Sequence, residues 1–271
     1  MKLVTFQPLR TIGLPNVSYI KPEHLFKEKQ AIVEADWVLF PEYWQVNSLV
    51  YGLKKRIFPS IQSYHLGHNK IEMTRALWTV CPEHVPYTQI LANTEAHIEQ
   101  ILEEFPFPFI AKEVRNSMGR GVFLIESEAQ FRDYARHNDI LYVQEYLPID
   151  RDLRITFVGD EVIGAYWRVG REGHYLNNVA QGGTISFKHV PPDAIRLVEK
   201  VAKQLGINHA GFDVAVAGDK LYFLEFNVLF GNMGFRDTQQ LVEKKIWEYL
   251  VTHRSPDSPP IKPDTPAPRA S

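Results

Sequence analysis

The sequence predicts an α/β protein whose second half is mixed α+β, on three observations. Short apolar strands alternate with helical stretches over the first 60 residues. Two hairpins follow later, one turning at Gly159-Asp160 and one near Gly218-Asp219. Between them lies an amphipathic stretch, Ala194 to Leu205, with Ile195, Val198, Val201, Ala202 and Leu205 on one helical face. Strand–helix alternation argues for an open, largely parallel sheet. Gly-Asp between β-rich runs argues for antiparallel hairpins.

In chain order, Lys2–Phe6 and Trp37–Phe40 are strands, the second ended by Pro41. Helices are expected over 22–34 and 45–55, and a short strand over 56–58. Ligands of open α/β sheets sit beyond the carboxyl ends of the strands. That places Glu42, Tyr43, Tyr64 and His65 near a candidate site, although surface-loop positions suit the two aromatics better. Asn69 suits the N-cap of a helix over 71–78, and a second helix spans 95–103. A strand around Ile110–Lys112 carries one cation in an apolar setting. Lys112 either snorkels or serves the loop that follows, Arg115-Asn-Ser-Met-Gly-Arg-Gly121. Such a small-residue loop can present backbone N–H groups to phosphate, but it is also an ordinary hairpin turn. Strands 141–147, 153–158 and 161–169 come next, with Arg154 and Arg168 interrupting the last two. Asp193 can cap the helix 194–205 and Gly206 can end it. A final helix is expected over 238–251, then a Pro- and Ser-rich tail, 252–271, without fixed structure.

The 271 residues are 45% hydrophobic and 23% charged, enough for a sizeable core. The net charge of −2 gives no reason to expect nucleic acid or an anionic membrane as partner. A single cysteine, Cys81, fits a reducing cytoplasm and reads better as a buried thiol than as a nucleophile. No apolar run is long enough to span a bilayer.

The most informative stretch is Ala210–Gly234. Asp213, Glu225 and Asn227 interrupt an apolar hairpin, and Glu225 and Asn227 share a strand face. A hard cation would compensate buried carboxylates there; two solvent-facing acids are the equal alternative. A three-residue loop, Gly218-Asp219-Lys220, would pair Ala217 with Leu221, Val214 with Leu224 and Phe212 with Phe226. It would set Asp213 opposite Glu225.

The segments PFIAKEVRNSMGRGV, VQEYLPIDRDLRITFVG, NVAQGG and AGFDVAVAGDKLYFLEFN stand in this order. Together they resemble the ATP-grasp superfamily, in particular its RimK-like branch of ribosomal-protein glutamate ligases and amino-group-carrier ligases, over roughly Asn69–Gly234. The resemblance implies an ATP-grasp fold: an N-terminal α/β domain (1–68), then a grasp domain (69–251) of two α+β lobes, 69–146 and 147–251, clasping the nucleotide. It implies ATP as substrate and Mg²⁺, two ions, with Mn²⁺ an acceptable substitute. Lys70 and Lys112 would contact phosphates, under a lid of Ser117, Met118, Gly119 and Gly121. Gln144, Glu145, Tyr146 and Leu147 would form the hinge that reads adenine, and Asp152 would hold the ribose. Asp213, Glu225 and Asn227 would bind metal. Arg168 would stabilise the phosphoryl group in flight, with Arg154 and Asn178 also catalytic. The implied reaction joins a carboxylate substrate to an amine acceptor, an amino acid or peptide, through an acyl phosphate. An ATP-grasp small-molecule kinase, or a nucleotide-binding regulator without turnover, is the alternative. Homo-oligomerisation is left open. Two stretches depart from the family pattern: Ile61–Lys70, and Val228-Leu-Phe-Gly231 after Asn227. Both would face the acceptor. Arg115, Arg120, Arg151 and Arg171 could recognise an acidic substrate or be plain surface charges.

Overall fold

The structure is a computed structural model that describes residues 1–114, 121–170, 184–231 and 238–254. Its strands form three sheets. The first is parallel, order β2-β1-β3-β4, from β1 (Leu3–Thr5), β2 (Val17–Tyr19), β3 (Trp37–Leu39) and β4 (Ile57–Phe58). β1 and β3 are buried along their whole length, as parallel strands covered on both faces should be. β2 was not legible in the sequence: it is a three-residue edge strand with no buried side chain. The expected helix 22–34 is instead a 3₁₀ turn, Pro22–His24, and a short α1, Lys29–Glu34. Its counterpart at 45–55 begins earlier, as α2 (Tyr43–Asn47), and runs into a π-helical turn, Ser48–Gly52. Glu42 and Gln45 form a reciprocal capping box there.

α3 (Ile61–His68) was not foreseen, because its buried residues are only Ser63 and Tyr64 and it contains Gly67. Ser60 caps it, accepting from the Ser63 N–H. Gly67 has a packing reason. A Cβ there would lie 2.4 Å from Val228 Cγ2 and 3.2 Å from the Phe226 ring. α4 (Lys70–Val80) follows, capped by Asn69 as expected.

The second sheet is antiparallel, order β5-β8-β6-β7: β5 (Thr88–Ala92), β6 (Phe109–Lys112), β7 (Val122–Ile125) and β8 (Ile140–Glu145). α5 (Glu95–Glu104) and α6 (Glu128–Arg136) pack on it, placing Ile98, Ile101, Phe131 and Tyr134 against Phe109 and Leu141. α6 has the signals of a helix, a Ser127 cap and apolar Phe131, Tyr134 and Ala135 on one face.

The third sheet has order β11-β10-β9-β12-β13: β9 (Arg151–Val158), β10 (Glu161–Val169), β11 (Thr184–Ser186), β12 (His209–Ala217) and β13 (Lys220–Asn227). α7 (Pro192–Leu205) ends at Gly206, which adopts φ 69° in the left-handed region. Asp193 does not cap it: Pro191 is the N-cap and Asp193 pairs with Arg196 instead. α8 runs from Thr238 to Thr252. One apolar cluster joins the first and third sheets through Val4, Val38, Met73, Ile155, Val198 and Phe212. A second joins Leu3, Trp37 and Phe58 to Val158 and to Val242, Ile246 and Leu250 of α8.

The β12–β13 hairpin differs from expectation in its loop. Ala217 pairs with Lys220, so the turn is the two residues Gly218-Asp219, with Gly218 at φ 60°. A two-residue turn with Gly first matches the twist of a hairpin. That register alone would set Asp213 opposite Leu224. A bulge intervenes: Val214 pairs with Phe223 and Asp213 with Glu225, leaving Leu224 as the extra residue. Phe223 and Phe226 are three apart yet both buried, with ring centroids 5.8 and 5.1 Å from Phe212. A regular strand alternates with period two, so the bulge is what allows both rings inside.

His209 begins β12 inside the second apolar cluster's neighbourhood. Its ring stacks on Phe230 at 4.6 Å and meets Phe40 and Phe58 edge-on. Nδ1 donates to the Val228 carbonyl, 2.7 Å away. Burial pushes its pKa down to about 3, against the Val228 hydrogen bond, with Arg10 lowering it further. The unfolded chain binds a proton at His209 below about pH 6.5, and the folded chain does not until about pH 3, so acid favours unfolding. Between pH 7 and 4.5 this residue is expected to cost roughly 2–3 kcal/mol of stability. Urea unfolding at both pH values should show that loss in wild type and a smaller one in His209→Gln; equal losses would contradict it.

Candidate functional site

The end of β6 and the start of α4 bring two lysines together. Lys112 is the last residue of β6, buried, and its Nζ donates to Gln144 Oε1 at 2.7 Å. Gln144 is held in turn by its Nε2 donating to Thr88 Oγ1 at 2.8 Å, and Thr88 donates to the Pro86 carbonyl at 2.6 Å. Lys112 also lies 5.7 Å from the centroid of the Tyr142 ring. Burial lowers its pKa to about 8, with Glu225 raising it and Lys70 lowering it. Lys70 is buried at the first turn of α4, where its backbone N–H donates to the Val114 carbonyl. Its Nζ is 3.8 Å from Glu225 Oε2.

The third sheet supplies the facing groups. Asp213 on β12 has β9 on one side and β13 on the other, so the register sets it beside Arg154 and Glu225. Arg154 Nε stands 2.6 Å from Asp213 Oδ1 and Arg168 Nη2 stands 3.0 Å from Oδ2. The first contact is close but poorly aligned, so Arg154 Nε and Asp213 Oδ1 are buried without a well-formed hydrogen bond. Asp152, directly across from Arg168 in the ladder, takes that guanidinium bidentately: Nε to Oδ1 at 2.8 Å and Nη2 to Oδ2 at 2.5 Å. Burial opposes the charge on Arg168, and Asp213 and Asp152 hold its pKa above the ordinary value. Burial raises Asp152 to about 6, although Arg168 pulls it down. The bidentate geometry favours the charged pair, because an arginine keeps its proton in proteins. Both Asp152 oxygens therefore serve Arg168 here, whereas the resemblance puts them on a ribose.

Glu225 and Asn227 share a face of β13, and Asn227 Nδ2 donates to Glu225 Oε1 at 3.2 Å. Among the described residues no three His, Cys, Asp or Glu side chains gather as a metal site. A cation beside Asp213, Glu225 and Asn227 would have two carboxylates and an amide oxygen from the protein. That set fits Mg²⁺, which commonly takes one or two carboxylates and fills its octahedron with water and phosphate oxygens. The poorly satisfied Asp213 Oδ1 is where such an ion would relieve a buried acceptor.

Glu145 closes β8 in a two-way lock with Tyr87: its N–H donates to the Tyr87 carbonyl at 2.8 Å, and its Oε1 accepts from the Tyr87 N–H at 2.7 Å. Tyr146 and Leu147 follow directly, half-buried, where the sequence puts a hinge. Thr88 and Tyr87 were missed in the sequence; they precede and begin a strand that no apolar run announced. Gly121, at φ 72°, ends the glycine loop. Ser117, Met118, Gly119 and Asn178 lie outside the described residues, as do Arg115, Arg120 and Arg171. Arg151 is stacked over Trp167 at 4.4 Å. Tyr64 is core, donating to the Pro41 carbonyl at 2.7 Å. Cys81 is buried, and burial first, then Glu83, pushes its thiol up to about 11, which makes it a poor nucleophile. No helix among the described residues is long and apolar enough to cross a membrane.

Residues 76–250 match the RimK-like ATP-grasp domain. A probable alpha-L-glutamate ligase of Citrobacter koseri is 29% identical over 157 residues, covering 55% of this chain and 52% of that protein. The ribosomal protein bS6–L-glutamate ligase of Shigella flexneri is 30% identical over 153 residues, covering 54% and 51%. The chain thus spans about half the length of the curated relatives it matches. Among solved structures, a RimK domain ATP-grasp protein from Sphaerobacter thermophilus superposes with TM-score 0.70 at 14% identity, over 92% of this chain and 99% of that one. The D-alanine–D-alanine ligase of Bacillus anthracis gives 0.67 at 12% identity, over 93% and 96%. These likenesses agree on an ATP-grasp architecture of mixed α/β sheets. The chain belongs to the RimK-like ATP-grasp domain family.

Proposed function

We propose that this chain is an ATP-dependent carboxylate–amine ligase, working through an acyl phosphate and releasing ADP and phosphate. The observation that carries the reading is the opposition of charges across one site. Lys70 and Lys112 come from α4 and the second sheet; Asp213, Glu225, Arg154 and Arg168 come from the third. Phosphoryl transfer needs in-line placement and neutralised oxygens rather than covalent help, and this set offers cations for phosphate oxygens and carboxylates for a metal. The named relatives are glutamate ligases, which makes glutamate the first carboxylate or amine to try.

In this reading the chain divides into an N-terminal unit, 1–68, and lobes 69–146 and 147–251. Lys70 and Lys112 bind phosphate oxygens, with Gln144 and Thr88 keeping the Lys112 ammonium in place. The backbone of Glu145, Tyr146 and Leu147 reads adenine, on a strand end that Tyr87 holds still. Ser117, Met118, Gly119 and Gly121 cover the phosphates and exclude water, which an acyl phosphate requires. Asp213, Glu225 and Asn227 hold Mg²⁺, as one ion or two, with Mn²⁺ as a substitute; when bound, the metal neutralises phosphate oxygens. Arg168 and Arg154 leave Asp213 for the transferring phosphoryl group, and Asn178 is a third catalytic residue. Asp152 holds the ribose only by releasing Arg168. A carboxylate oxygen of the substrate displaces ADP from the γ-phosphorus. The amine then displaces phosphate from the acyl carbon, and its proton leaves with the phosphate.

Three measurements test this. Amino acids and acidic peptides, offered with ATP and Mg²⁺, should give amine-dependent ADP release and an amide product by mass spectrometry. A stable phosphorylated product without amine would instead identify a kinase, and ATP bound without turnover a regulator. Lys112→Ala should weaken ATP binding by about 1–3 kcal/mol, the scale of a charge-assisted hydrogen bond; unchanged affinity removes Lys112 from the phosphate site. Asp213→Asn and Glu225→Gln keep side-chain shape and lose charge. They should melt near wild type with ADP formation nearly abolished, and wild-type rates in either would refute the metal assignment.

A further inference from the structure

Arg10 is a cation that the ligase machinery above does not use. It ends the 3₁₀ turn Pro8–Arg10 that follows β1, so it stands at the carboxyl edge of the parallel sheet. Ligands of open α/β sheets lie in the crevice beyond that edge. Phe40, at the same edge after β3, adopts φ 47° although it is bulky and not glycine. Such backbone is rare and collects at functional sites.

Among the described residues, the groups that hold Arg10 are neutral. Nε donates to Gln7 Oε1 at 3.2 Å and Nη1 to the Phe230 carbonyl at 3.3 Å, while the guanidinium carbon lies 5.9 Å from the centroid of the Phe40 ring. No carboxylate of the described residues forms an ion pair with it. Burial accordingly lowers its pKa, against a small opposing effect of Tyr64. A guanidinium has five N–H donors, and two are spoken for. The rest include both hydrogens on Nη2, the arm of the fork that binds a carboxylate. A half-buried guanidinium with donors left over can receive an anion from outside.

The position is also right. Phe230, whose carbonyl Arg10 holds, packs on Gly211. A Cβ on Gly211 would lie 2.8 Å from Arg154 Nη1 and 3.0 Å from Phe230 Cβ. Gly211 therefore lets Arg154 and Phe230 close over the same spot, and Arg10 holds the Phe230 carbonyl. The segment Val228–Gly231 is the one Arg10 grips, through the Phe230 carbonyl.

We propose that Arg10 seats a carboxylate of the amino-acid substrate that is not consumed in the reaction. This makes Arg10 a specificity-determining residue for acidic or carboxylate-bearing substrates, and it rests on the ligase reading. Any anion there would be read by the same fork; an amino-acid substrate carries an unreacted carboxylate that could be that anion.

The full chain, loaded with Mg²⁺ and a non-hydrolysable ATP analogue, is titrated calorimetrically with L-glutamate, L-glutamine and glutamic acid α-amide. The proteins are wild type, Arg10→Gln and Arg10→Lys, and ADP release is recorded in parallel with ATP. Arg10→Gln should weaken binding of L-glutamate at least about tenfold, the scale of one charge-assisted pair. Arg10→Lys, which lacks the fork, should fall between. One of the two amides should bind wild type and Arg10→Gln equally, naming the carboxylate that Arg10 holds. Because Arg10 forms no ion pair among the described residues, Arg10→Gln should melt close to wild type, which loss of a structural salt bridge would not allow. Should Arg10→Gln fail to fold, Arg10→Met replaces it, and failure of both to fold refutes the proposal. Equal glutamate affinity in wild type and Arg10→Gln overturns it, as does a wild type that binds none of the three compounds. Arg10-dependent binding without amine-dependent ADP release would refute the ligase reading and leave the seat standing.

Discussion

Leu224 occupies the position on which the site depends. A two-residue turn at Gly218-Asp219 fixes where β13 starts to pair with β12. From there a regular ladder would carry Asp213 past Glu225 and leave one of Phe223 and Phe226 in solvent. The bulged Leu224 absorbs one residue, so both rings reach Phe212 and both carboxylates reach the opposite face. Burial of two aromatic rings stabilises by several kcal/mol on the usual area scale, roughly 1.5–3 each. That gain and the placement of the acids come from the same backbone irregularity, which ties the core to the chemistry.

The buried charges are arranged so that each sign has an answer. Asp152 and Asp213 divide Arg168 between them, Arg154 completes Asp213, and Glu225 faces Lys70. Burying ions costs more than their attraction returns unless pairing is thorough. The cluster is therefore a weak source of stability and a strong source of orientation. Its partners are exchangeable: guanidiniums that hold a carboxylate can hold a phosphoryl group, and the carboxylate so released can take a cation. Arg10, outside this cluster, is hydrogen-bonded to neutral groups alone among the described residues.

Much of this was legible because each feature had a short-range signature. Lys112 before a glycine loop, polar Asp213, Glu225 and Asn227 on an apolar hairpin, and the parallel sheet of the first 60 residues all follow from local pattern. Asp213 does face Glu225, though by another route than a three-residue loop: nothing in LYFLEFN distinguishes a regular strand from one with a bulge except that Phe223 and Phe226 are both needed inside. α3 escaped because Gly67 and two histidines weaken any helical stripe, and only its contact with Val228 explains the glycine. The partnership of Asp152 with Arg168 spans a hairpin and depends on register, which the residues alone do not state. Thr88 and Tyr87 hold Gln144 and Glu145 across two strands, and Arg10 reaches the Phe230 carbonyl from far away in the chain. These are tertiary facts.

The most direct test is a crystal structure of the full chain with Mg²⁺ and a non-hydrolysable ATP analogue. The account predicts phosphate oxygens at Lys70 and Lys112, Arg168 turned toward the γ-phosphate, and the Asp213 and Glu225 carboxylates sharing a cation across the bulged hairpin. Nucleotide bound away from Lys112, or an Asp213 still held by both guanidiniums with the metal elsewhere, would contradict it.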